Sequence, residues 1–308
     1  TFDKKKIFFL NMQNWKILKK IIEPKFKGLG KSHCMMPTIK KIKKDTIRVY
    51  YSSRDTENIS RIFYSDYNLE KEKLLKSSSE PVLDIGDLGA FDDNGVTPSC
   101  LISKGNYDYL FYVGWNKKSR VRMNLFGGLA YKKKGEKKFK RYFKSPILER
   151  NSHDYLFNTA PFVIKHKNKF LKYYSSTLKW VNENLPVYNI KICESKNLIN
   201  WKREGKVCIN LKKKETALGR SNLIFHKKKF MMWYSYKGKN YKIGYAESKD
   251  GKKWVRKDNK ILFINKKKFH FEMMEFSFVF KHKNELYMLF NANNYGEKGI
   301  YLSKLLRD

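Results

Sequence analysis

At 308 residues, with 41% hydrophobic and 16% aromatic side chains, the chain carries ample material for a packed core, and length alone does not separate one large domain from two. The formal charge of +38 points toward nucleic acid, an anionic surface or an acidic polymer, but only eleven of the 67 basic residues are Arg, and the lysines spread over every segment. That spread, with no Arg-rich or aromatic-interleaved patch, argues against a nucleic-acid binder and fits solvated turns or a codon bias equally well.

The chain opens on a basic cluster followed by Ile7-Phe8-Phe9-Leu10, too short for a signal-peptide core or a membrane span, so a soluble, cytoplasmic protein is expected. Cys34, Cys100, Cys193 and Cys208 form no CxxC and have no His partner at metal spacing, so neither a zinc site nor a disulfide framework is expected.

Further along, an aromatic strand recurs five times: Val49-Tyr50-Tyr51-Ser52, Leu110-Phe111-Tyr112-Val113, Lys172-Tyr173-Tyr174-Ser175, Met232-Trp233-Tyr234-Ser235 and Met288-Leu289-Phe290-Asn291. Tyr50, Tyr112, Tyr174, Tyr234 and Phe290 lie 62, 62, 60 and 56 residues apart, a period that means repeated sheets. A short apolar strand precedes each across a polar turn, and a strand of small and aliphatic residues follows. In two repeats an acidic turn and a Trp (Trp201, Trp254) then open a fourth strand.

The reading is an all-β, single five-bladed β-propeller over residues 1–308, its four-stranded antiparallel blades at about 33–83, 91–149, 158–210, 215–264 and 270–303. The last repeat lacks an outer strand, and the segment at about 9–24 supplies one, closing the ring without exposed sheet edges.

Inner strands of such a ring converge on a central funnel, and each repeat offers polar residues at its entrance: His33 with Met36; Asp92 and Asp93; Asn158 with Thr159; Glu215 and Arg220 with Ser221; Glu272 and Glu275. Strand alternation sends Glu272 and Glu275 to opposite faces, which favours Glu275 as the central one. Trp115 and Tyr236 are candidate stacking platforms for a sugar ring. Asp92 and Asp93 also read as turn formers, and Glu215 as a partner of Lys212 to Lys214.

The stretch Gly89 to Ser99, the run Met232-Trp233-Tyr234-Ser235-Tyr236, and Ile243-Gly244-Tyr245-Ala246-Glu247-Ser248-Lys249-Asp250-Gly251 with Trp254 resemble blades of the sugar-processing propellers of glycoside hydrolase families 32 and 43. The resemblance implies acid/base carboxylates on different blades: Asp92 or Asp93 as base or nucleophile, Glu215 or Glu275 as proton donor. It also implies His33, Trp115, Asn158, Arg220, Tyr236 and Glu272 as substrate-binding residues, with Arg220 holding an oxyanion in bidentate fashion. Such propellers carry an Asp on the first inner strand, where this chain has His33-Cys34-Met35-Met36-Pro37. A more distant resemblance to family 130 phosphorylases, which need one acid plus basic residues for phosphate, keeps phosphorolysis and glycosyl transfer open.

The expected partner is a sugar or oligosaccharide, neutral or anionic. No cofactor or catalytic metal is expected, beyond a divalent cation of the kind some channels of this group hold, and the expected state is a monomer or weak oligomer. A non-catalytic propeller binding an acidic glycan or other polyanion is the competing function.

Overall fold

The computed structural model describes residues 12–25 and 27–306, so the sequence reading of Ile7 to Leu10 and the start of the proposed closing strand at 9–11 lie outside the described residues. All its named elements are β-strands apart from three short 3-10 turns. Strand β1 (Gln13–Ile22) comes first. Then β2 (Ser32–Lys43), β3 (Thr46–Arg54), β4 (Ser60–Asn68) and β5 (Lys73–Ser77) form an antiparallel meander. The pattern repeats in β6 (Val96–Lys104), β7 (Tyr107–Lys117), β8 (Met123–Lys133) and β9 (Lys140–Arg141). A third meander is β10 (Asn158–His166), β11 (Lys169–Asn182), β12 (Leu185–Ser195) and β13 (Val207–Ile209). A fourth is β14 (Ala217–His226), β15 (Lys229–Lys237), β16 (Tyr241–Ser248) and β17 (Val255–Arg256).

The last sheet runs β19 (Met274–His282), β20 (Glu285–Ala292) and β21 (Ile300–Leu305), then β1 antiparallel to β21, with β18 (Ile261–Phe263) parallel to β1 at the edge. The first and last of the described strands thus share one sheet, and β1 satisfies the backbone groups that β21 would otherwise leave open. Successive meanders touch through single parallel pairs, Ser60 with Gly95, Phe126 with Asn158, and Tyr188 with Ala217.

The aromatic strands fall on β3, β7, β11, β15 and β20, where Tyr50, Phe111, Tyr112, Tyr173, Tyr174, Trp233, Tyr234 and Phe290 are almost fully buried. Both faces of these middle strands are covered, one by each neighbouring meander, which is why they read as continuous apolar runs rather than alternating ones. The tryptophans that follow the acidic turns pack across the seams between meanders. Trp201 meets Phe111 edge-on at 6.2 Å, and Trp254 meets Tyr173 at 5.8 Å. Each indole nitrogen donates back to its own turn, to Leu198 and Gly251 respectively. The outer strands those tryptophans were expected to open are only two or three residues long.

Candidate functional site

Every inner strand breaks its ladder at the same level. Register shifts fall between Met35 and Thr38, Pro98 and Cys100, Thr159 and Phe162, Gly219 and Asn222, and Glu275 and Phe278. At four of the five, a non-glycine residue takes a left-handed conformation: Met36 (φ 52), Ala160 (φ 48), Arg220 (φ 53) and Phe276 (φ 53). A bulge inserts one residue and re-aims its side chain, and a left-handed non-glycine residue costs on the order of 1 kcal/mol or more. Strain repeated at one level in four meanders marks that level as the place where the fold builds something.

What it builds is a cavity of about 400 Å³, in the size range of small-molecule sites, lined by residues of all five meanders. Met35, Met36 and Arg54 come from the first, and Thr97, Val113, Trp115, Asn116, Lys117, Met123 and Leu125 from the second. Thr159, Ala160, Ser175 and Tyr188 come from the third, Gly219, Arg220 and Tyr241 from the fourth, and Phe276 and Tyr295 from the last. Most of the lining is apolar, and its charged members (Arg54, Lys117, Arg122 and Arg220) are all basic.

The residues just before the strained positions are Met35, Thr159, Gly219 and Glu275, paired with Ser52, Ser175, Ser235 and Asn291 on the adjoining strands; Thr97, opposite Val113, holds the place in the second meander. Glu275 is the one acid in that ring. It is fully buried, accepts Asn291 Nδ2 on Oε1 at 3.2 Å, and leaves Oε2 without a hydrogen-bond partner. Burial raises its pKa to about 8, against the opposing pull of the Tyr295 backbone N–H and of the charges on Lys237 and Arg54. Phe276, its neighbour along the chain, and Tyr295, whose backbone N–H acts on its carboxyl, both line the cavity. Beside them the Tyr188 and Tyr241 hydroxyls meet at 2.5 Å, and burial holds both phenols well above the usual range.

The other three acids expected to be catalytic are placed elsewhere. Asp92 is fully buried outside the cavity lining, where it accepts the Tyr112 hydroxyl at 2.8 Å and Arg141 Nε at 2.8 Å. The arrangement recurs in Asp154, held by Tyr174 at 2.8 Å and Arg203 at 3.0 Å, and in Asp258, held by Tyr234 at 2.5 Å and Arg256 at 3.1 Å. A pattern that repeats in three meanders, each time joining a middle-strand tyrosine to an arginine of the outer edge, belongs to the fold. Glu215 is tied into the same scaffold, receiving both Nη atoms of Arg256 at 2.7 and 2.8 Å, and it also accepts the backbone N–H of Lys212, the first residue of the lysine run before it, at 2.8 Å. Asp93 fastens its own loop, accepting Gly89 N–H at 3.0 Å and Asn116 Nδ2 at 2.9 Å, and of these three only it adjoins the cavity wall, through Asn116.

Of the expected binding residues, Trp115 and Arg220 line the cavity. The Arg220 fork is already spent: Nη2 donates to Pro37 O at 2.6 Å and Thr38 Oγ1 at 2.9 Å, and Nη1 donates to Ser99 O. It therefore braces three inner strands and has no pair of Nη atoms left for a bidentate contact. His33 lies outside the lining, its ring nitrogen 2.9 Å from Ser32 Oγ, and burial with the Arg54 charge lowers its pKa to about 4. Asn158 is buried and turned back on Asp154 O and Leu156 O. Tyr236 packs under Arg256, 5.7 Å from its ring centroid, and Glu272 is exposed on the turn held by Asn293.

Sequence reasoning passed over Arg54, Arg122, Tyr188 and Tyr241. The available signal for Arg54 was its scarcity: it is an arginine in a lysine chain, set at the end of the first aromatic strand, level with Trp115 on the second. Among the described residues the one cluster that could hold a metal ion is Asp45, Glu70 and His282, at hairpin tips of the first and last sheets. None of the three lines the cavity, and Lys283 is already ion-paired with Asp45 and Glu70.

No protein-family profile matches the chain. Two uncharacterized proteins of Mycobacterium tuberculosis, one from each of two strains, are 28% identical to it over 298 residues, covering 94% of this chain and 99% of their own. Among solved structures, a glycoside hydrolase is similar at TM-score 0.76 and 18% identity, over 99% of this chain and 95% of that one. A thermostable family-43 glycoside hydrolase is similar at TM-score 0.67 and 16% identity, over 93% and 94%. A member of the family-130 group of mannoside phosphorylases, which contains hydrolases of β-1,2 mannosidic linkages, is similar at TM-score 0.63 and 12% identity, over 95% and 94%. At these identities the likeness is one of fold: the chain has the propeller fold of these glycosidases.

Proposed function

We propose that the five meanders are the five blades of one propeller domain, that its central cavity takes a sugar, and that the chain cleaves or transfers a glycosyl unit with Glu275 as its acid. The observation that carries this reading is Glu275 itself. It is the single acid at the level of the inner-strand bulges, and it stays protonated at neutral pH with one oxygen uncommitted. A carboxyl in that state suits protonation of a departing glycosidic oxygen. Trp115, Tyr241, Phe276 and Tyr295 supply apolar faces on which a sugar ring can stack.

Two-carboxylate hydrolysis is the less favoured mechanism, because Asp92 and Glu215 are committed to arginines and the first inner strand offers Met35 and Met36. With one acid, the new bond at the anomeric carbon comes from an acceptor hydroxyl or a phosphate oxygen, whose proton restores Glu275. The same lack of a second acid favours, as the alternative, a binding propeller without turnover.

Turnover of a panel of aryl glycosides, with and without inorganic phosphate, separates these. The enzyme reading expects turnover of at least one glycoside and a loss of about 100-fold or more in Glu275→Gln. Turnover undiminished in Glu275→Gln rules that role out, and sugar binding without any turnover leaves the binding propeller.

A further inference from the structure

The buried and half-buried arginines among the described residues follow a rule with two exceptions. Arg48 is paired with Asp66, Arg61 with Asp55 and Asp84, Arg203 with Asp154, and Arg256 with Glu215 and Asp258, all at 3.0 Å or less. Arg54 and Arg220, the two that line the central cavity and are largely withdrawn from solvent, have no ion pair among the described residues. Arg220 is fully buried and uses its Nη atoms on backbone carbonyls and Thr38, and its Nε has no partner at all. Arg54 has only a contact from Nη2 to Met35 Sδ at 3.4 Å. No Asp or Glu is among the lining residues, and Glu275, the acid whose charge would act on Arg54, is buried behind them with its pKa raised to about 8. An uncompensated buried charge costs several kcal/mol, and burial accordingly lowers the pKa of both guanidinium groups. A fold that pairs its other buried and half-buried arginines has left these two without an ion pair around one apolar cavity, with Arg122 and Lys117 adding positive charge among the lining residues.

We infer that the counter-ion is brought by the ligand: the saccharide taken by this cavity carries a carboxylate or phosphoryl group, which Arg54 receives through its unspent fork while Arg220 contributes fixed positive charge. This rests on the sugar-binding reading above and narrows it to acidic sugars. Arg54 is the specificity-determining residue because its guanidinium, unlike that of Arg220, keeps two nitrogens for planar bidentate recognition.

The test is calorimetric titration of the whole chain, at fixed ionic strength and pH 7, with galacturonate, glucuronate and glucose 6-phosphate against galactose and glucose, and with inorganic phosphate alone. At least one acidic sugar is expected to bind about tenfold or more tighter than its neutral parent, and whether the uronates or the sugar phosphate show the preference identifies the anion. Arg54→Gln should abolish the preference, bringing acidic and neutral sugars to equal affinity, while Arg54→Lys, which keeps the charge without the fork, should retain part of it. Equal affinity for acidic and neutral sugars overturns the inference and leaves the sugar pocket standing. Inorganic phosphate binding as tightly as the acidic sugars overturns it too, because the anion is then not carried by the saccharide. If no sugar binds at all and no glycoside is turned over, the sugar-pocket reading fails with it.

Discussion

Asp92 lies 20 residues before Tyr112 in sequence and accepts its hydroxyl at 2.8 Å, in a contact that Asp154 and Tyr174 repeat in the next meander with the same spacing and distance. Each carboxylate also receives an arginine from the outer edge of its own sheet, Arg141 or Arg203. The acid thus joins loop, middle strand and outer strand of one meander, at a point from which solvent is excluded.

Asp92→Asn is therefore expected to act on stability. Removing the charge leaves Arg141 short of a partner in a largely buried pair, a change that costs about 3 kcal/mol or more. Denaturant unfolding should show that loss, while turnover per folded molecule stays near the parent value. Glu215→Gln should behave alike through Arg256. A variant with parental stability and abolished turnover would return Asp92 to the chemistry.

How much of this was legible in the sequence differs between the frame and the site. Period and alternation place the aromatic strands, because a strand buried on both faces must be apolar throughout and the five copies reinforce one another. The roles of the acids were not legible, because Asp92 and Glu215 are decided by arginines 49 and 41 residues away, and an Asp-Asp-Asn-Gly run looks the same whether its carboxylate faces a sugar or a guanidinium. The ring of bulges left no sequence mark either. Met36, Ala160, Arg220 and Phe276 are residue types that do not favour positive φ, so tertiary contacts impose what local propensity opposes.

Gly128 shows why small residues recur on the third strands. It pairs with Tyr112, and a Cβ there would lie 2.2 to 2.6 Å from the tyrosine ring and hydroxyl. Gly244 stands in the same relation to Tyr234, with a Cβ at 2.7 Å from the ring. The glycine lets the tyrosine lie flat across the neighbouring strand and reach its aspartate. Gly128→Ala is expected to destabilise by about 2 kcal/mol, the range of an overpacked core. Combining it with Tyr112→Phe should give less than the sum of the two losses, since both disturb one contact; strict additivity in unfolding free energies would count against the arrangement.

Glu275 makes stability depend on pH with a definite sign. Its folded pKa, about 8, lies above the ordinary 4.5, so between those values the folded state holds a proton that the unfolded state has released. Stability from this group is complete below about pH 4.5 and is lost progressively as pH rises toward 8. Glu275→Gln removes the titration. Melting curves should show the variant gaining on the parent across that window, and the glycosidase reading expects parental turnover to decline above about pH 8 as the proton leaves. Parallel pH profiles for the two proteins would show that Glu275 is ionised when folded.

Lys172 carries the opposite sign. It is fully buried in β11, its Nζ has no hydrogen-bond partner, and it sits 3.9 Å from the centroid of the Trp201 ring. Burial lowers its pKa from 10.5 to about 7, so between pH 7 and 10.5 the unfolded chain binds the extra proton and this group makes stability rise with pH. The cation–π contact returns part of the desolvation cost, about 2 kcal/mol at best for a buried pair. Lys172→Met keeps the length of the side chain and its contact with the indole while removing the charge. It is expected to raise stability at pH 7 by about 1 to 3 kcal/mol and to flatten the rise between pH 7 and 10. A variant less stable than the parent at pH 7 would mean that the ammonium–indole contact outweighs the cost of burying the lysine.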